Sequence, residues 1–355
     1  MIDFTRIKID KMIIHYVGNK LKNEGLKISN GEAKNISSEL NEVLLKYFLS
    51  SFKYDSILKF THQTNLELNE IYHYISTIFR DKETLYEQSI NILKHLYEKS
   101  THPNIKCGEL YIVYFLDCLF EGEILDAVGI FKSENKDIYL KTSNHEHAVE
   151  MNFEKGINIK NLDKGCIIFN TKKEEGYKVT VVDKTSSSEA MYWKEQFLKL
   201  ENYKDENYQT INYMNVCNEF IKNIDTEIVP VDSTQKIELL NRTLDYFSDN
   251  EHFNFDTFAK EVIKQPDKIE KFKSYRENYE RDNNVELSDD FNISNQALKK
   301  VKSKIKNLIK LDNNIEIKFN QNTVKEHTLE NIEKGYDHQK GMYFYKIYYN
   351  EEKGM

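Results

Sequence analysis

The spacing of apolar residues changes twice along the chain, and the changes predict a helical block, a strand-rich block and a second helical region. Residues 5–17 alternate and then turn apolar, a pattern for an opening strand that ends at His15-Tyr16-Val17 and is broken by Gly18-Asn19. Ile36, Leu40, Val43 and Tyr47 share one helical face. Leu66–Arg80 and Glu83–Glu98 predict two further helices; Leu85, Ser89, Ile92 and Leu96 mark the inner side of the second, and Pro103 closes the block. From Glu109 to Leu140 the period shortens. Leu110–Leu119 and Ile124–Phe131 predict a hairpin joined by Phe120-Glu121-Gly122-Glu123, partly buried on both faces, with Ile138-Tyr139-Leu140 as a third strand. Cys166–Phe169 and Tyr177–Val182 predict a second hairpin across the polar Thr171–Gly176 turn. All these strands are expected in one antiparallel sheet with the early helices on one face.

Ser186 and Glu189 have capping-box spacing, and Ala190, Trp193, Phe197 and Leu200 recur as the inner face of the helix that follows. Beyond it the stripes are helical: Ile211, Met214, Cys217, Ile221 and Ile224; then Ile237, Leu240, Leu244 and Phe247; then Phe255, Phe258 and Val262. Pro266 stands as the first residue of a helix carrying Ile269, Phe272 and Tyr279. Ser294–Ile309 predicts a further helix with Leu298, Val301, Ile305 and Leu308 inward. Residues 315–319 and 342–349 alternate as strands that could pair with each other, giving, with the helix, the outline of a winged-helix module. The fold class is therefore α+β: residues 1–185 a mixed N-terminal domain, residues 186–355 a mainly helical C-terminal domain ending in a β-hairpin.

Composition narrows the function classes. The chain has 355 residues, long for a single core, with 39% hydrophobic and 30% charged residues. A formal net charge of −8 argues against a polyanion-binding surface over the whole molecule, so any nucleic-acid site must be a local basic patch. Cys107, Cys118, Cys166 and Cys217 show no paired spacing and read as buried thiols of a reducing cytoplasm. The N-terminus lacks an apolar signal core, and the longest apolar run, Tyr111–Phe120, is too short for a bilayer, so no membrane association is expected.

That local patch has one candidate. Lys299, Lys300, Lys302, Lys304 and Lys306 occupy the positions left by the apolar stripe, joined by Lys310, and no acid falls between Gln296 and Leu311. Such a helix is either a solvated surface or a phosphate-contacting element. Glu316-Ile317-Lys318 with Asp312 has the acidic-x-Lys order of metal-dependent nucleases, although alternating solvent-facing charges on a strand produce the same order. His145 and His147 would share a face on a strand, but the neighbourhood offers no further ligand; His15 reads as a strand-end histidine bonded to backbone, and Glu121, Glu123 and Asp126 as solvated carboxylates. No phosphate loop, nucleophile elbow, zinc spacing or dinucleotide fingerprint is present, so no cofactor and no catalytic residue is expected.

The ordered set of Phe169-Asn170, Gly176-Tyr177-Lys178-Val179, Val181-Val182-Asp183, Glu189-Ala190-x-Tyr192-Trp193 and Phe197-Leu198 resembles the bacterial nucleoid-associated proteins of the NdpA or YejK type. Ile14-His15-Tyr16-Val17-Gly18-Asn19-Lys20, Ile309-Lys310-Leu311-Asp312, Gly335-Tyr336-Asp337, Gly341-Met342 and Tyr345-Lys346-Ile347-Tyr348 extend the resemblance over nearly the whole chain. It implies a DNA-associated protein of the cytoplasm and nucleoid, without an established enzymatic activity. The expectation is a non-enzymatic, sequence-nonspecific binder of double-stranded DNA through the basic helix, with self-association open. The alternative is an adaptor for DNA-processing or phage-defence enzymes, and the distant one a metal-dependent nuclease using Asp312, Glu316 and Lys318.

Overall fold

The structure, a computed structural model, describes residues 2–3, 5–52, 57–145, 148–184, 192–224, 233–305, 308–319 and 331–351. The chain divides into two compact units, Met1–Tyr203 and Lys204–Met355. It is an α+β protein.

The first unit is built on one antiparallel sheet. Its strands are β1 (Ile2–Asp3), β2 (Lys8–Val17), β3 (Leu26–Lys27), β4 (Leu58–Phe60), β5 (Gly108–Phe120), β6 (Glu123–Ser133), β9 (Lys164–Phe169), β10 (Lys178–Asp183) and β11 (Leu200–Asn202). They run in the order β11-β4-β10-β9-β6-β5-β2-β3, with β1 also on β5. The two predicted hairpins thus join directly, Ile130 of β6 facing Cys166 of β9. The turn between β9 and β10 uses Gly176 at φ +105°, where a Cβ would lie 2.4 Å from the Phe60 carbonyl oxygen, so only glycine fits there.

The central strands are buried on both faces, as their unbroken apolar runs predict. On β5, Leu110, Ile112 and Tyr114 enter one core, which also receives α2 (Glu70–Arg80), α3 (Leu85–Lys99) and the π-helical α4 (Tyr192–Leu198). Tyr111, Val113 and Phe115 enter the other, closed by α1 (Ser38–Leu49) and Leu162. The early helices therefore cover both faces, because strands with no polar face need two covers. On α3, Leu85, Ser89, Ile92 and Leu96 all point inward as predicted.

Local chemistry shifts several predicted elements. In α1, Leu40 and Val43 are exposed, and the buried side is Tyr47, Phe48 and Leu49. Phe48 stacks on Phe131 with ring centroids 4.4 Å apart, and this contact selects the face. The predicted 66–80 helix is split at Asn69, whose extended backbone caps α2 while its amide donates to the Thr61 and Leu198 carbonyls. After α4, Lys199 at φ +53° ends the helix and turns Leu200 into β11 opposite Phe60, so Leu200 leaves the Trp193 stripe. Ser186, Glu189 and Ala190 lie outside the described residues.

The predicted third strand is longer than Ile138–Leu140 and does not join the sheet. Among the described residues β7 (Asp137–His145) pairs only with β8 (Ala148–Gly156), forming a separate two-stranded ribbon.

The second unit is mainly helical: α5 (Glu206–Asn223), α6 (Ser233–Asp249), α7 (Phe255–Phe258), α8 (Pro266–Asn283) and α9 (Asn295–Lys302). Pro266 takes the first helical position as predicted. The stripes Met214, Cys217, Ile221 and Ile237, Leu240, Leu244, Phe247 are buried, and Phe253, a residue of β12 (His252–Asn254), stacks on Phe291 of β13 (Asp290–Asn292) at 4.8 Å in the same core. The pairing of the late strands differs from expectation. β15 (Glu316–Lys318) pairs with β14 (Leu308–Lys310), and β17 (Met342–Ile347) pairs with β16 (Ile332–Asp337). Each strand takes the neighbour nearest in sequence, where the turn is short.

Candidate nucleic-acid interface

The lysine-rich stretch folds as a short helix and then a hairpin, not as one helix to Ile309. Ser294 is the N-cap of α9 and accepts the Ala297 N–H at 3.2 Å; its hydroxyl donates to Asn207 Oδ1 of α5 at 2.6 Å. The Ser294 N–H also donates to Thr210 Oγ1 at 3.0 Å. Ala297, Leu298, Val301 and Ile305 are buried in the core of the unit, so the orientation of α9 is set by both its cap and its apolar side. The helix ends at Lys302, with Ser303 as its C-cap; the Ser303 N–H donates to the Lys299 carbonyl and its hydroxyl to the Lys300 carbonyl. Leu308, predicted inside, is half-buried on β14, while the next residue, Ile309, is buried.

The lysines separate accordingly. Lys299 and Lys304 are exposed, while Lys300 is half-buried. Burial, and then the charge of Lys304, hold the Lys300 ammonium below the usual lysine range. Lys302 is half-buried and donates to Ser248 Oγ on α6. It also faces Asp245, whose carboxyl is pushed up by burial first and by Asp249 second. Lys310 stands on β14 and pairs with Glu316 Oε1 at 3.1 Å. Lys306 lies outside the described residues.

The nuclease-like order falls on the same hairpin. Glu316 sits between Lys310 and Lys318, with Lys318 Nζ 3.8 Å from its other oxygen. Asp312 is exposed in the turn between the strands. Among the described residues, no three His, Cys, Asp or Glu side chains gather closely enough to hold a metal. His147 is outside them.

His15 is buried and bonded on both ring nitrogens. It accepts the Ser29 backbone N–H at 3.1 Å and shares a 2.9 Å hydrogen bond with Ser89 Oγ. Glu121 pairs with Lys178 at 2.6 Å, and Asp126 accepts the Tyr114 hydroxyl at 2.7 Å, so these carboxylates serve the sheet.

Sequence reasoning missed one ionic cluster. Lys132 and Lys164 face each other across β6 and β9, both buried. Lys132 bonds Glu134 Oε1 at 2.7 Å and the Lys106 carbonyl at 2.6 Å; Lys164 bonds Asp183 Oδ1 at 2.8 Å; both ammoniums lie over the Tyr192 ring. Burial pulls the Lys132 pKa down despite Glu134. A strand lysine ordinarily signals solvent, and its partners come from distant segments, so only their separate positions were legible. The paired charges join the end of the sheet to α4.

The fold and this lysine-bearing helix–hairpin are those of an α+β protein with a local basic element inside an acidic chain. The sequence pattern of the family described as "Nucleoid-associated protein YejK" matches residues 13–350, and the chain belongs to that family. No curated protein matches it. No described helix is long and apolar enough to cross a membrane.

Proposed function

We propose that this family member binds double-stranded DNA in the nucleoid by nonspecific contacts to the phosphate backbone and performs no chemistry of its own. The observation that carries the reading is the fixed placement of α9 and the turn that follows it: Leu298, Val301 and Ile305 are buried while Lys299 and Lys304 are exposed. Ammonium groups held outward on an anchored helix can replace counterions on phosphates. Backbone contacts of this kind read charge and not sequence. Lys300, Lys302, Lys306 and Lys310 belong to the same proposal, with Lys302 and Lys310 also serving Ser248 and Glu316.

Titration of fluorescent duplexes of unrelated sequence tests this. Similar affinities are expected, falling with salt by a log–log slope of about −0.9 per phosphate neutralised. Lys299→Glu combined with Lys304→Glu should abolish binding at moderate salt and leave melting nearly unchanged. Full affinity in that variant overturns the site. Absence of binding by the parent at low salt overturns the DNA reading in favour of the adaptor for DNA-processing or defence enzymes, which the net charge of −8 would suit.

A further inference from the structure

The β16–β17 hairpin sorts its side chains onto two unlike faces. The register sets Lys334 opposite Tyr345 and Tyr336 opposite Tyr343, and opposite residues of an antiparallel pair share a face. One face of the two strands therefore carries Ile332, Lys334, Tyr336, Tyr343, Tyr345 and Ile347, and no carboxylate. The acids Glu333 and Asp337 stand on the other face. There Glu333 pairs with Lys346 at 3.5 Å and accepts the Tyr348 hydroxyl at 3.0 Å. Gly335 belongs to that second face because the Phe344 ring covers it: a Cβ would meet the ring at 2.4 Å.

The tyrosine face is ordered and open to solvent. Tyr336 and Tyr343 meet edge to face, with ring centroids 4.9 Å apart. The Lys334 ammonium lies over the rings of Tyr343 and Tyr345, at 5.8 and 5.9 Å. Tyr343 is 74% and Tyr336 44% exposed, and Tyr345 is half-buried. Clustered rings left in water mark an interaction surface. We propose that this face binds single-stranded DNA, its tyrosine rings stacking on unpaired bases beside the Lys334 ammonium. Rings next to a cation, with no carboxylate among them, suit a polyanion whose uncharged parts are flat π-systems. An apolar protein surface would instead have to bury that ammonium. The spacing selects a single strand. Tyr343 and Tyr345 are two residues apart, roughly 6.8 Å along the strand. That is twice the spacing of about 3.4 Å per nucleotide along each strand of a duplex. Rings so spaced fit between the bases of an extended strand, whereas paired bases in a duplex stack on each other and offer no free faces. Membership of a nucleoid-associated family points to DNA as that strand. The surface uses none of the lysines of α9 and does not rest on their contact with duplex DNA.

Fluorescence anisotropy of labelled oligo(dT) with the full chain is the test. The parent should bind it. Tyr336→Leu with Tyr343→Leu keeps apolar bulk and removes both rings, so it should weaken that binding at least about tenfold, with melting and duplex affinity unchanged. Tyr336→Phe with Tyr343→Phe keeps the rings and should bind as the parent does. Met342→Ala, on the opposite face, should also bind normally. If the leucine pair fails to fold, Tyr343→Leu alone should still cost about fivefold or more. Lys299→Glu with Lys304→Glu should retain oligo(dT) binding, which separates this surface from the α9 site. A parent that does not bind oligo(dT) overturns the proposal, as does a folded leucine pair with full affinity. An equal loss of duplex binding in the leucine pair overturns it too, by making the hairpin part of the duplex site. Tighter binding of oligo(U) than of oligo(dT) overturns the choice of DNA.

Discussion

Ser294 Oγ donates to Asn207 Oδ1 at 2.6 Å and accepts the Ala297 N–H, so one hydroxyl both starts α9 and ties it to α5. The cap satisfies a backbone donor that the first turn of a helix otherwise leaves unpaired. Together with the buried Leu298 and Val301, the tie sets which way the eight-residue helix faces, and with it where Lys299 stands.

Ser294→Ala removes both functions. The expected cost is about 1 kcal/mol, the usual scale for a lost N-cap. Because two units unfold here, amide exchange is a better readout than a single melting temperature. Protection of the Leu298 and Val301 amides should fall, while that of Ile167 in the sheet should not change. DNA affinity should fall with it. Unchanged protection across α9 would show that its apolar side alone fixes the helix.

Trp193 is fully buried, 4.8 Å from Phe197 between ring centroids, in the core shared by α2, α3 and the sheet. Among the described residues its indole N–H has no hydrogen-bond partner. Trp193→Ala should cost about 3–5 kcal/mol through the cavity it leaves. Trp193→Phe removes the unpaired N–H along with part of the ring, so it should cost clearly less than the alanine change. Denaturation followed by circular dichroism separates the two. An alanine variant as stable as the parent would remove Trp193 from its role as anchor.

Period and turn chemistry made much of the fold legible. The apolar runs of β5 and β6, the Gly176 turn and the inner faces of α3, α5 and α6 follow from local pattern alone. Errors came where a long-range contact chose between local options. Val43-Leu44-Leu45 and Tyr47-Phe48-Leu49 offer α1 more than one apolar side, and the stacking of Phe48 on Phe131 decides. Lys199 in a left-handed conformation cannot be foreseen from its identity. In the lysine stretch, the buried positions Leu298, Val301 and Ile305 were legible, but the end of the helix at Lys302 and the return of Lys310 to Glu316 were not. Both depend on strand pairing that helical periodicity cannot encode.

Acid should weaken the first unit through His15. Burial lowers its pKa to about 4, below the ordinary value of 6.5. The unfolded chain therefore binds the proton more readily than the folded one. The stability contributed is complete above about pH 6.5 and is lost as pH falls toward 4, by up to about 3 kcal/mol for this group. His95, also lowered, first by burial, acts in the same direction. Urea midpoints at pH 7 and pH 5 should differ in the parent, and His15→Gln should remove part of that difference. An equal pH dependence in parent and variant would mean that His15 is not held neutral.

The last prediction separates the phosphate-binding reading from nuclease chemistry at the same hairpin. Glu316 holds Lys310 at 3.1 Å and lies 3.8 Å from Lys318. A carboxylate that worked by holding a divalent ion would make plasmid cleavage depend on the ion and on Glu316. No cleavage with Mg²⁺ or Mn²⁺ is expected from the parent or from Glu316→Gln. The variant should instead bind duplex DNA more tightly, since the exposed pair competes with phosphate for Lys310. Exposed ion pairs contribute up to about 1 kcal/mol, so the gain should be roughly two- to fivefold. If Lys310 then neutralises one more phosphate, the salt slope steepens by about 0.9. Ion-dependent nicking that disappears in the folded variant would assign the hairpin to catalysis; tighter binding with no nicking assigns Glu316 as a brake on the lysine cluster.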